Sequence, residues 1–300
     1  MSSPSIPASD SDPARDPATV IAFQGAPGAY SEAACVARYP VMTTLPCKTF
    51  GDTFAAVSEG RAALAMIPIE NSAAGRVADI HQLLPKSDLH IIAEHFERVR
   101  HNLLACPGAD PSGLETVLSH VHALSQCRKL IARLGLLPVV HVDTAGAAAE
   151  VAAAGDATRA AIASRLSAET YGLAIVEADI EDEAHNTTRF VVLSREPLDP
   201  EPDEGPMITS FMFECRNVPA ALYKCLGGFA TNGVNMTKLE SYMVGGTFSA
   251  TVFFAEVEGH PAEIGLGRAL SELDYFSREV RIMGVYPAHP YRREDAANHR

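Results

Sequence analysis

The chain has 300 residues, 47% of them hydrophobic, and carries 24 Lys and Arg against 37 Asp and Glu, a formal net charge of −13. That length suits about two domains with real cores and argues against disorder over most of the chain. The charge repels nucleic acid and anionic membrane surfaces, although a few local donors could still hold an anionic ligand. Cys35, Cys47, Cys106, Cys127, Cys215 and Cys225 form no Cys-x-x-Cys pair, which suits reduced thiols better than disulfides or a zinc site. No apolar run approaches the roughly 18 residues of a membrane span, and the N-terminus shows no secretory signal, so a cytoplasmic protein is expected.

Residues 1–18 are rich in Ser, Pro and Asp and read as a disordered tail. Over 19–195, β-like runs (VIAF at 20, ALAMI at 63, HIIAE at 90, NLLA at 102, TVLS at 116, PVVHV at 138, AAIA at 160, RFVVLS at 189) alternate with helix-like segments. That alternation predicts an α/β domain. Helices are expected to stop at Gly135, Gly155 and Gly172. The Pro-rich acidic stretch 196–206 reads as a linker. Over 207–288 the order is strand MITSFMFE, helix from Pro219 to about Ala230, strand VNMTKLES, turn at Gly245-Gly246, strand TFSATVFFAEVE, helix from Pro261 to about Tyr275, strand VRIMGVY. With both prolines placed in first turns, this βαββαβ series predicts a ferredoxin-like domain, followed by a C-terminal tail over 289–300.

In the first domain, small, hydroxyl and amide residues recur where strands give way to helices: GAPGAYS (Gly25 to Ser31), ENS (Glu70 to Ser72), SHVHALSQ (Ser119 to Gln126) and DTAGAA (Asp143 to Ala148). Helix N-termini converging on one cleft offer N–H donors and a partial positive field for carboxylates. Taken singly, the glycines of GAPGAYS can shape a βα turn, and Ser31, Ser72 and Thr144 can be N-caps. His120 and His122 are two residues apart with no cluster to complete a metal site, so no metal is expected. HNTTRFVVLSR (His185 to Arg195) runs from polar residues straight into an apolar strand. In it Arg189 can pair with a carboxylate or be a surface charge.

These motifs, together with IASRLSAETYGL and NVPAALYKCLGGFATNGVNMTKLES, resemble the bacterial prephenate dehydratases with a C-terminal ACT domain. The resemblance runs from about Val20 to Pro290. It implies a two-lobed α/β catalytic domain akin to type 2 periplasmic-binding architecture, with the site in the cleft between the lobes. The implied reaction converts prephenate to phenylpyruvate with loss of water and carbon dioxide and needs no cofactor. The Thr of the family's Thr-Arg-Phe motif falls on Thr188, the expected catalytic residue, with Arg189 and Phe190 completing it. The Asn and Ser of Glu-Asn-Ser fall on Asn71 and Ser72, and the Thr-Ala pair on Thr144 and Ala145. Ser119, His120, Ala123, Leu124 and Gln126 match the Ser-His-Pro-Gln-Ala-Leu-x-Gln stretch, with Val121 and His122 in place of Pro and Gln. In the first motif Gly25 and Tyr30 match, while Ala26 and Ala29 replace Pro and Thr.

The implied mechanism has Thr188 assist the departing ring hydroxyl while donors around Gly25, Asn71, Ser72 and Thr144 hold the two carboxylates. Arg189 either pairs with a carboxylate or fixes the Thr188 strand. Dehydratases acting on arogenate also show the Pro-Gly-Ala-Tyr-Ser form, so arogenate is the alternative substrate. For the second domain the resemblance implies L-phenylalanine as effector at Pro219, Ala220, Ala221, Leu222, Glu240 and Ser241, within a homodimer or homotetramer. The family's Gly falls on Ala220 and its Arg-Pro pair on Tyr242 and Met243. A noncatalytic small-anion or amino-acid sensor is the reading of another class, and it has no chemical need for Thr188 beside Asn71 and Ser72.

Overall fold

A computed structural model describes residues 16–77, 80–183, 185–216, 218–243 and 250–293. Residues 1–15 of the expected disordered tail and the turn at Gly245-Gly246 lie outside the described residues. The first lobe contains β1 (Val20–Gln24), α1 (Tyr30–Arg38), β2 (Thr43–Cys47), α2 (Phe50–Ser58), β3 (Leu64–Asn71), β4 (Gly75–Arg76), α3 (Ile80–Leu83) and β5 (His90–Arg98). The chain then builds a second lobe from β6 (Asn102–Ala105), β7 (Thr116–His120), α4 (Val121–Gln126), α5 (Arg128–Leu134), β8 (Leu137–His141), α6 (Thr144–Ala154), β9 (Arg159–Ala163), α7 (Arg165–Tyr171) and β10 (Ala174–Glu177). It returns through β11 (Thr187–Ser194), which inserts antiparallel between β3 and β5. The sheet orders are β2-β1-β3-β11-β5, with β4 on β3, and β10-β6-β9-β7-β8. Two crossovers, at 99–101 and 178–186, therefore join the lobes.

Every strand expected in this region forms. β2 and β10 lie outside the expected runs: only Cys47 of β2 is buried, and β10 is four residues long, with Glu177 exposed and the other three half-buried. Gly135, Gly155 and Gly172 end α5, α6 and α7 with φ of 63°, 62° and 66°, the left-handed region that costs glycine least. The N-caps differ from expectation. Ala29 precedes α1 without a side-chain bond, Asp143 rather than Thr144 caps α6 by accepting from the Gly146 N–H at 2.6 Å, and Ser72 lies in a turn.

The C-terminal unit contains β12 (Met207–Cys215), α8 (Ala221–Thr231), β13 (Met236–Met243), β14 (Ala250–Glu258), α9 (Ile264–Phe276) and β15 (Ser277–Pro287), in an antiparallel sheet ordered β13-β14-β12-β15. Pro219 precedes the Ala220 cap and Pro261 lies ahead of α9, so neither occupies a first helical turn. Strand alternation gives this sheet two apolar faces. Phe211, Phe213 and Phe253 pack beneath α8 and α9, while Ile208, Met212, Phe254, Met283 and Tyr286 join the core of the first lobe. Each such side chain contributes about 1.5–3 kcal/mol on full burial. The unit is thus fused to the first lobe rather than tethered. Gly284 permits the contact, since a Cβ there would overlap the Ile91 carbonyl of β5. The segment read as a tail folds back as far as Arg292: Tyr291 stacks on Phe96 at 4.6 Å, and Arg292 bonds Glu94 at 2.7 and 2.8 Å. Among the described residues no helix is long and apolar enough to cross a membrane.

Candidate active site

β11 starts at the return crossover, and its register sets Thr188 opposite Asn71 at the end of β3. The Asn71 side chain has a defined orientation. Its Oδ1 accepts from the backbone N–H groups of Ala73 and Ala74 at 2.9 and 2.8 Å, and backbone N–H groups can only donate. Nδ2 must therefore be the atom facing the strand, donating to Thr188 Oγ1 at 2.8 Å and to Asn186 Oδ1 at 2.7 Å. Thr188 thus receives a hydrogen bond and keeps its own hydrogen for another acceptor. A threonine held this way is poised as a donor.

The same logic runs onward. Asn186 presents Nδ2 to Gln126 Oε1 at 2.8 Å, and His101 Nε2 reaches the same oxygen at 2.9 Å. That oxygen can only accept, so Nε2 carries the proton. Burial, the largest influence, holds the His101 pKa below the usual imidazole value against Gln126 and Glu181, leaving the ring neutral. The Tyr30 hydroxyl lies 2.8 Å from both its unprotonated Nδ1 and the Arg100 carbonyl, two acceptors that share its single hydrogen. A chain of hydrogen bonds therefore links Tyr30 of α1, the outward crossover, α4 of the second lobe, the return crossover and Thr188. Ser72 fastens the turn after β3 to that crossover, donating to the His185 carbonyl at 2.6 Å and accepting from the Thr187 N–H at 2.9 Å. Sequence reasoning missed His101 and Asn186. The signals were present, since Asn186 sits inside the polar run before β11 and His101 between two strand-like runs.

The loop from Gly25 to Ala29 closes the other side. Gly28, at φ 87°, approaches α7 so closely that a Cβ would stand 2.8 Å from the Ser167 Cα, and its carbonyl accepts from the hydroxyls of Ser164 and Ser167. Here the glycine is required by contact between the lobes as well as by the turn. Because Ala29 supplies no side-chain cap, the first N–H groups of α1 lack the partner a family threonine could offer. Thr144 opens α6 at the edge of the second lobe. His120 caps α4 weakly, 3.4 Å from the His122 N–H, and among the described residues no three His, Cys, Asp or Glu side chains gather as a metal site.

With this geometry in place, comparison with known proteins is decisive. The family described as Prephenate dehydratase matches residues 21–198. The chain belongs to the prephenate dehydratase family. It is 53% identical over 275 residues, 92% of this chain and 98% of the relative, to a Komagataeibacter europaeus bifunctional N-acyl-homoserine lactone acylase/prephenate dehydratase. It is 37% identical over 297 residues, 94% of this chain and 75% of the relative, to Arabidopsis thaliana arogenate dehydratase/prephenate dehydratase 1, chloroplastic. Among solved structures, prephenate dehydratase from Arthrobacter aurescens in complex with L-Phe is similar at a TM-score of 0.81 and 30% identity, covering 93% of this chain and 97% of that one.

Four of the prephenate dehydratase motif residues are buried within the protein. Ser119, fully buried, donates to the Ile162 carbonyl at 2.6 Å, Ala145 lies on the buried face of α6, and Phe190 belongs to the first-lobe core. Arg189, adjacent to Thr188, points to the opposite face of β11 because strand side chains alternate. Its guanidinium meets Glu256 bidentately at 2.7 and 2.9 Å, Glu94 at 2.8 Å and Glu70 at 2.9 Å. Burial alone would lower its pKa, but Glu256 first, and then other neighbours, hold it well above the ordinary guanidinium value. Burial likewise works against ionisation of Glu94 and Glu70. Hydrogen bonding from Arg292 and the charge of Arg189 outweigh it at Glu94, as the charges of Arg189 and Lys238 do at Glu70, so both carboxyls titrate below 4.5. A depressed folded-state pKa stabilises the fold fully above the unfolded value, and that contribution disappears as pH falls through the folded value. Stability is therefore expected to hold down to about pH 4.5 and fall below it. Urea titrations from pH 6 to 3 check this, and Glu94→Gln should flatten the acid limb.

In the C-terminal unit, Pro219 and Ala220 lead into α8 and Ala221 and Leu222 open it, whereas Glu240 and Ser241 lie on the edge strand β13. Ala220, where the family has glycine, adopts φ 61° and ψ 14°. The left-handed conformation costs a side-chain-bearing residue about 1–2 kcal/mol, against less than about 1 kcal/mol of chain entropy lost by glycine. Ala220→Gly is expected to raise stability by up to about 1 kcal/mol, read by chemical denaturation.

Proposed function

We propose that the chain converts prephenate to phenylpyruvate in the cleft between its lobes, with the Thr188 hydroxyl donating to the departing ring oxygen. The ring carboxylate's carbon–carbon bond breaks to release carbon dioxide, its electron pair enters the ring as aromaticity forms, and the opposite carbon–oxygen bond breaks with its pair on the oxygen, which takes up a solvent proton and leaves as water. A hydroxyl is a weak acid, so Thr188 stabilises the leaving oxygen rather than surrendering its proton outright. The orientation of Asn71 carries this reading, because it leaves the Thr188 hydrogen unspent. The start of α1, which has no side-chain cap, is suited to a substrate carboxylate.

Phenylpyruvate formation from prephenate by the purified chain tests the reaction, and Asn71→Asp tests the mechanism. The aspartate is nearly isosteric but can only accept when ionised, so it draws the Thr188 hydrogen away from substrate. Turnover is expected to fall by at least about tenfold with the fold retained. Parallel kcat/KM values on prephenate and arogenate distinguish the preferred substrate, since relatives carry both names.

We further propose that the C-terminal unit is a ferredoxin-like ACT module that binds L-phenylalanine where two copies meet in a homodimer or homotetramer. Its β-α-β-β-α-β order and the free edge of β13 support this. Calorimetric titration with L-phenylalanine and inhibition of turnover test it; absence of both removes the effector role.

A further inference from the structure

A charged pair, with Arg189 buried and Glu70 partly exposed, sits beside Asn71 and Thr188 in the chain. Glu70 immediately precedes Asn71 on β3, and Arg189 immediately follows Thr188 on β11. Arg189 bridges the two strands by bonding Glu70 at 2.9 Å, and the C-terminal unit grips both partners. Glu256 of β14 holds the guanidinium with both carboxylate oxygens. Lys238 of β13 reaches Glu70 at 2.6 Å and Glu240 at 2.8 Å. The side chains of Glu256 and Lys238 are 0% and 9% exposed, so neither is a solvent-screened surface charge. The β11–β3 ladder shifts register between Arg189 and Phe190, immediately beside Thr188. Thr188 pairs with Asn71 and Glu97 one residue before this shift, and a bulge frees local twist, so the charges holding Arg189 bear on the pitch of Thr188.

We propose that Lys238 and Glu256 are positioning residues for the dehydration, clamping Glu70 and Arg189 so that Asn71 and Thr188 keep their donor geometry. The charges act through strand position and touch no reacting atom. The C-terminal unit thereby contributes to turnover even without effector. A misplacement of about 1 Å at a reacting group can cost up to about a hundredfold in rate, whereas binding of the carboxylates by helix termini elsewhere in the cleft is left intact. The signature is therefore a loss confined to kcat.

The inference rests on Thr188 as the leaving-group donor, so Thr188→Ala is measured beside the clamp variants. With each protein assayed as the full chain well below its unfolding transition, Lys238→Met and Glu256→Gln are expected to lower kcat by about five- to a hundredfold while KM stays within about twofold. Lys238→Arg should restore most of the loss. Arg278→Gln, which removes an exposed pair to Glu214 in the same unit, should leave both constants unchanged. Should Lys238→Met fail to fold, Lys238→Gln carries the comparison. Folded variants that retain kcat within about twofold, while Thr188→Ala has lost turnover, overturn the clamp and leave a docking contact. Retained turnover by Thr188→Ala overturns the role of Thr188 instead.

Discussion

Thr188→Ala is expected to lower kcat by at least about tenfold, and toward the 10²- to 10⁴-fold range if donation to the leaving oxygen is the main catalytic contribution of the protein. The substitution deletes the one hydroxyl whose hydrogen is left free by the Asn71 amide, without disturbing the backbone ladder that carries it. KM should change little if the carboxylates are held elsewhere, because the lost interaction strengthens as the oxygen departs with growing negative charge. Thr188→Ser retains the donor and should keep most of the rate. Steady-state kinetics on prephenate checks both, and near-normal turnover by the alanine variant would remove Thr188 from the mechanism.

Arg189→Met is expected to destabilise the fold by about 3 kcal/mol, measured by urea denaturation at pH 7. Breaking a buried ion pair on one side costs about 3–5 kcal/mol because a charge stays behind in a poor dielectric. The lower end applies, since Lys238 still compensates Glu70, and Arg292 still faces Glu94 and Glu256. Methionine fills much of the arginine stem, so the loss reports charge more than cavity. A cost below about 1 kcal/mol would mean that water or proton uptake neutralises the carboxylates and that the cluster is not a structural keystone.

The comparison between these two neighbours shows where sequence reasoning stops. Thr188 and Arg189 belong to one motif, yet the first bonds the Asn71 amide and the second enters the carboxylate cluster on the opposite face. A strand's period of two guarantees opposite directions but not which direction is inward. That choice depends on Glu256, 67 residues away on β14, whose carboxylate the chain brings beneath β11 only when the C-terminal unit docks. Asn71 and Gln126 were legible as polar residues at strand and helix ends, but not as groups whose amides orient Thr188. The amide orientation is set by the Ala73 and Ala74 N–H groups, which no side-chain pattern reveals.

By itself the sequence determined most of the strand and helix succession, the glycine helix ends and, through its motifs, the family. These follow from local periodicity and backbone preference, which act over a few residues. Only the tertiary structure decided that His101 and Asn186 join the hydrogen-bond network at Thr188, that Ser119, Ala145 and Phe190 are buried, and that Arg189 joins two structural units. Those roles depend on partners far apart in the chain, and burial makes each such partnership count by removing the water that would otherwise satisfy or screen it.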